Sequence, residues 1–281
     1  MIKLTIGVCT HNRKYIIDST SKSLNEIKNI EKANLKIYDD CSDEYNIEYL
    51  KQLYPTAIKI NRNDKNLGAD YNTKEMYKDF LESDDEYFFN ADSDMIFNQN
   101  VLELIEKTIK DLEKNNELVV FTVFNTPTHN KIKDYNDMLC IKKEIGAAGT
   151  VLSKKAIQIF MNSTEQYSGR LSIDNYFCKI LKDYKIFCTN KSYAQHLGFV
   201  GQNSTITGID YGKDFEIDTM TNAKSIIKIF EDTFVFGNED IYSVMNRLCT
   251  SGRMGIRKLL YSIMLCIKYK IRRLLKNRGD K

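Results

Sequence analysis

Two aspartates one residue apart, Asp92 and Asp94 with Ser93 between them, follow the apolar run Tyr87–Ala91 (YFFNA) and precede Met95-Ile96-Phe97. Carboxylates at that spacing, on the turn that leaves a strand, can hold a hard divalent cation through oxygen and leave coordination sites for a diphosphate. Such a cation acts as a Lewis acid on a leaving group. A D-x-D alone equally suits a pair of solvated turn aspartates, so it is the position after a strand that carries the signal. Three further polar segments stand in comparable places: Thr10-His11-Asn12-Arg13, Asp39-Asp40-Cys41-Ser42-Asp43 and Asn66-Leu67-Gly68. They supply acids and donors suited to a nucleotide.

Each of these segments ends a run that reads as a strand from its β-branched and aromatic content: Lys3–Cys9, Leu35–Tyr38, Ala57–Ile60 and Tyr87–Ala91. Between and after them, Ile16–Ile30, Tyr45–Leu53, Ala69–Leu81 and Val101–Leu112 repeat their apolar residues at helical spacing. Strand and helix therefore alternate, which predicts an α/β fold with a mostly parallel central sheet and helices on both faces. Ligands bind such sheets outside the carboxyl ends of the strands, where the four polar segments lie. The second half is less regular. It reads as a strand at Leu118–Phe124, a loop over Pro127–Asn136, and the small-residue turn Gly146–Thr150 leading into a helix at Ser153–Met161. A helix at Ile173–Leu181 and a strand at Lys185–Cys188 follow, with only helices from about Asp218 onward.

Taken in order, IGVCTHNR, IYDDCSD, NLG followed by Asn72, NADSD, a late acid and a late His-x-Gly make a set. Over about residues 1–205 the sequence resembles family 2 glycosyltransferases with the GT-A fold. The resemblance implies a nucleotide-entry loop at Thr10, Asn12 and Arg13. His11 stands where the family usually has an aromatic or small residue, and is given no catalytic role. Asp39 matches the family's first acid, where a carboxylate accepting a uracil N3–H favours UDP over a purine nucleotide. Asp40 supports the loop, and Cys41 takes a place where glycine is common. Asn66 and Gly68 match the next loop, in which glycine allows close backbone approach or serves simple turn chemistry. Asp94 is implied as a direct metal ligand. Asp92 is implied at the ribose or at the metal through water, with Ser93 beside it. His196, in a segment resembling the family's Q-H-x-G, is implied as a third metal ligand; a lone histidine equally suits a packed position. Asp174 resembles a late acid at a helix start and is implied as the base that takes the acceptor's proton, although an aspartate there also suits a helix cap.

The chain has 281 residues, 42% hydrophobic and 28% charged, which excludes wholesale disorder, a collagen-like repeat and a bundle of membrane helices. Seven scattered cysteines without C-x-x-C spacing argue against a disulfide framework and against structural zinc. The formal charge of +3 conceals an asymmetry, because residues 253–281 carry ten Lys/Arg against the single acid Asp280. In that tail Ile256, Leu259, Leu260, Ile263, Met264, Ile267, Ile271, Leu274 and Leu275 form one apolar stripe. Its longest uncharged run, Leu259–Ile267, is far too short to span a bilayer, so the tail reads as a basic amphipathic helix for an anionic leaflet or for packing on protein.

The reading assigns residues 1–215 to one GT-A domain and 216–281 to a helical extension. It describes an inverting, metal-dependent glycosyltransferase using Mn²⁺ or Mg²⁺ and a nucleotide sugar, most simply a UDP-sugar. The acceptor is a glycan or lipid-linked glycan of a surface polysaccharide. The protein is expected in a bacterial cytoplasm, with peripheral contact at the inner membrane and no nucleic-acid partner. The alternatives are a non-catalytic sugar-nucleotide or glycan-binding accessory protein and a sugar-phosphate nucleotidyltransferase. Against the latter, no glycine-rich, lysine-bearing loop follows the first strand.

Overall fold

The computed structural model describes residues 2–163, 172–198 and 211–230. The order opens as the sequence predicts, with β1 (Leu4–Thr10), α1 (Lys14–Asn25), β2 (Asn34–Asp39), α2 (Ile47–Leu53), β3 (Lys59–Arg62), α3 (Ala69–Leu81) and β4 (Tyr87–Asn90). After it come β5 (Met95–Phe97), α4 (Val101–Lys114), β6 (Val120–Thr122), β7 (Lys131–Asp134), β8 (Leu139–Lys142) and β9 (Thr150–Ser153). The series continues with α5 (Lys154–Ser163), α6 (Ile173–Ile180), β10 (Ile186–Thr189), β11 (Ala194–His196) and α7 (Met220–Phe230).

Nine strands form one sheet in the order β3-β2-β1-β4-β9-β6-β10-β8-β7, and β11 pairs with β5 in a small second sheet. The pairs β3·β2, β2·β1, β1·β4 and β6·β10 are parallel, while β9 and β8 run against their neighbours. Seven of the nine strands therefore point the same way, as a mostly parallel sheet requires.

Adjacent strand residues face opposite sides of the sheet. Ile37, Phe89, Phe121 and Val151 pack under α1, α2 and α4 with Ile17, Leu24, Leu50 and Ile105. Their neighbours Tyr38, Phe88, Val120 and Leu152 pack under α3, α5 and α6 with Met76, Tyr77, Phe80, Phe160 and Phe177. On this second face the rings of Tyr77 and Phe88 meet edge to face, with centroids 5.5 Å apart. The sheet is thus clamped from both sides, and its carboxyl-end loops are held by a rigid base.

The less regular half departs from the sequence reading in detail. The expected loop over Pro127–Asn136 contains β7, all four of whose residues are exposed. Neither β8 nor β11 was expected, and the turn at Gly146–Thr150 leads into β9 before helix α5 begins at Lys154. These three- and four-residue strands are too short to carry much periodicity, and β8 and β11 pair with β10 and β5, tens of residues away.

The described residues of 1–196 and 211–222 form one compact unit, separate from a second unit. The described residues of the second are 197–198 and 223–230. The predicted amphipathic helix over 253–281, and the extension beyond residue 230, lie outside the described residues.

Candidate active site

The carboxyl ends of β1, β2 and β4 bring the acids and donors together through unusual backbone. Asn12, Arg13, Cys41 and Asp92 all have positive φ, between 50° and 59°. Non-glycine residues visit this left-handed region rarely and at a cost, and such strain tends to collect at functional sites. Cys41, with φ 59°, occupies a conformation that glycine adopts freely. This is the physical sense of the expectation that glycine is common there.

Arg13 and His196 converge on Asp94 from two directions. The Arg13 Nη1 donates to Asp94 Oδ2 at 2.8 Å, and His196 Nε2 lies 3.1 Å from the same oxygen. Arg13 is positioned by the left-handed turn that starts α1, and His196 by β11, whose pairing with β5 sets it opposite Met95. Burial alone would raise the Asp94 carboxyl, but His196 and Arg13 hold it well below the usual carboxylate range. Asp92 behaves in the opposite sense: burial first, and then the charge of Asp94, push it up to about 7. A buried carboxylate and a half-buried one whose charge it opposes, with an imidazole beside the first, match a divalent cation in donor type and in charge. Asp92, Asp94 and His196 could hold it; among the described residues no three His, Cys, Asp or Glu side chains are already gathered at coordinating distance. Ser93 contributes its carbonyl to the fold, accepting from the Thr20 hydroxyl at 2.9 Å.

The remaining predicted residues build the walls. Thr10 Oγ1 and the Tyr45 hydroxyl are 2.5 Å apart. Asn12 Oδ1 accepts from the N–H groups of Asp43 and Glu44, which ties the β1 loop to the β2 loop. Asp39 has a fully buried side chain that accepts from Ser42 Oγ and from Arg62 Nη1, both at 2.5 Å. Asp40 supports the neighbouring loop as expected: it accepts from Asn63 Nδ2, from Leu67 N–H and from Gly68 N–H, each at 2.8 Å. Asn66 Oδ1 also accepts from Gly68 N–H, at 2.8 Å. Gly68, at φ 86°, has open space where a Cβ would project, so backbone conformation rather than crowding selects glycine.

Asp174 stands apart from this network, at the start of α6, and lines a small pocket. Around it are Tyr77, Gly146, Thr150, Ile173 and Phe177. Asp70, in the first turn of α3, fixes the helix start by accepting from Ile173 N–H at 3.3 Å. In the segment that shapes the pocket, a Cβ on Gly149 would come within 3.0 Å of Phe124 Cβ, and φ there is 71°. Tyr77 lines the same pocket, and burial first, then the charges of Asp92 and Asp174, push its phenol above the ordinary range.

Sequence reasoning overlooked Tyr77 and Arg62. Arg62 ends β3 and so obeys the same strand-end rule that located the other polar segments. Tyr77 falls on the buried stripe Asn72, Thr73, Met76, Tyr77 and Phe80 of α3, where its hydroxyl is the signal.

Comparison with known proteins agrees with this geometry. The fold is similar to the crystal structure of S. aureus TarS 1-349, with a TM-score of 0.51 at 11% identity over 88% of this chain and 69% of that one. A crystal structure of S. aureus TarS 1-349 in complex with UDP is similar to the same degree, with a TM-score of 0.51 at 12% identity, covering 88% and 70%. No curated protein sequence matches significantly. Residues 5–172, more than half of the chain, match the profile of Glycosyl transferase family 2. The chain belongs to that family and is a glycosyltransferase with a GT-A fold.

Proposed function

We propose that this enzyme moves a sugar from a UDP-sugar, with inversion, to a hydroxyl of a glycan or lipid-linked glycan. The observation that carries the reading is the convergence of Arg13 and His196 on Asp94, with Asp174 lining a separate pocket. The UDP complex of the similarly folded TarS supports the choice of nucleotide.

Thr10, Asn12, Arg13, Asp39, Asn66 and Gly68 line or support the nucleotide's place. Asp92, Ser93 and Asp94 face its diphosphate. Asp92, Asp94 and His196 would hold a Mn²⁺ or Mg²⁺ ion, which would supply Lewis-acid charge to the departing diphosphate. The Arg13 guanidinium adds a fixed positive charge on the same side. Asp174 accepts the proton of the acceptor hydroxyl as that oxygen attacks the anomeric carbon, and the carbon–oxygen bond to the diphosphate breaks.

The same proposal places the basic segment 253–281 on an anionic membrane surface, on the cytoplasmic side where nucleotide sugars are made, with no nucleic-acid partner. No helix among the described residues is long and apolar enough to cross a membrane. Deleting 253–281 should release the protein from vesicles containing anionic lipid; unchanged co-flotation would overturn this placement.

The test of donor choice is a thermal-shift panel of UDP, GDP, CDP and dTDP, each with Mn²⁺ and again with EDTA. A ligand at a hundred times its dissociation constant stabilises by about 2.7 kcal/mol. A shift with UDP that disappears in EDTA is expected. Equal shifts with all four nucleotides would remove the case for uridine, and none at all would remove the donor site.

A further inference from the structure

His11 sits between the two loops that frame the nucleotide's place, where the family resemblance assigns it nothing. Its Nε2 lies 2.9 Å from Asn66 Nδ2 and 3.2 Å from Asn12 Nδ2. Neither amide can be turned around. Asn12 Oδ1 is held by the N–H groups of Asp43 and Glu44, and Asn66 Oδ1 by the N–H of Gly68. Both amides therefore present N–H to the ring, and Nε2 has to be an acceptor. In the neutral ring the proton then belongs to Nδ1, which is buried and has no hydrogen-bond partner among the described residues. A buried donor without a partner is a local cost, as is the positive φ of Asn12 and Arg13 beside it. A fold that needed only an aromatic filler at residue 11 would carry neither.

We infer that His11 is a positioning residue, whose Nε2 lone pair, shared by the two amides, ties the Thr10–Arg13 loop to the Asn66–Gly68 loop and holds both in the arrangement that receives the nucleotide. It rests on the donor reading above for its effect on binding, but the tautomer it requires stands on geometry alone. Nitrogen NMR of the full chain should show His11 protonated at Nδ1 and bare at Nε2. A ring protonated at Nε2 would overturn the inference whether or not any nucleotide binds.

The functional arm uses UDP with Mn²⁺ in calorimetry. His11→Phe keeps a ring but removes the acceptor, and should weaken UDP about tenfold as two hydrogen bonds are lost. It should also shift the Gly68 amide resonance. His11→Gln, which can offer a carbonyl oxygen, should recover part of the affinity. If His11→Phe binds UDP as tightly as the parent, the inference fails. If the parent itself does not bind UDP, the donor reading fails and the NMR result decides the clamp by itself.

Discussion

The two sides of the site are built by different physics. Around Asp39, Asp40 and Asp94 nearly every polar group has a named partner, and the loops are locked by hydrogen bonds running from one strand end to the next. Around Asp174 the walls are Ile145, Leu152, Ile173 and Phe177, and shape comes from packing. Under the proposed function, the side that holds the nucleotide benefits from a rigid polar frame, and the side that admits the acceptor gains from an apolar wall with a single charge. Changes on one side should therefore leave the other side's readout intact.

The sharpest break is Asp94→Asn, which takes away the charge that Arg13 and His196 converge on. Turnover of UDP-sugar should fall roughly a thousandfold, with UDP stabilisation by Mn²⁺ also lost. Asp174→Asn should lower turnover several hundredfold, within the range for loss of a general base, while the UDP and Mn²⁺ thermal shift stays as in the parent. Loss of that shift in Asp174→Asn would mean that the two sides are not separable. Arg62→Met leaves the buried Asp39 carboxylate without its cation and should cost about 3 kcal/mol in chemical denaturation. The rate effect should then follow the loss of fold, not precede it.

A pH series addresses Asp92. Its carboxyl is raised in the fold to about 7, so the folded state binds a proton that the unfolded state releases. The stability tied to this group is complete below the ordinary carboxylate range and is lost as pH rises towards 7. Asp94, held low, works the other way, and its contribution disappears only in acid. Metal-free protein should thus lose stability between pH 4 and about 7 relative to Asp92→Asn, and Mn²⁺ should erase the difference. The smallest effect is Cys41→Gly. Relief of the left-handed backbone should stabilise by about 1 kcal/mol, raising Tm by about 2–4 °C without altering turnover.

The same contrast explains what was legible in the sequence. Strands β1, β2 and β4 are buried on both faces, so LTIGVC, LKIY and YFFN are apolar-rich runs that announce themselves. The amphipathic stripes of α3 and α4 are equally plain. By contrast β7 (KIKD) is wholly exposed, and β5 and β11 have three residues each, so only their partners define them. In the site, strand-end polarity pointed to Asp39, Asp92 and Asp94. It could not reveal that Asn12 ties two loops together, or that Arg62 would cover Asp39, because those facts depend on contacts across tens of residues.

The margins of the nine-stranded sheet have one more consequence. Among the described residues β3 and β7 each pair on one side only, leaving backbone N–H and C=O groups facing outward. Both are four residues long and carry lysine, Lys59 on one and Lys131 and Lys133 on the other. A neighbouring molecule that tried to add a strand there would have to bring its backbone against these cations over a very short ladder. Short, lysine-bearing edges of this kind disfavour the addition of a further strand from another molecule.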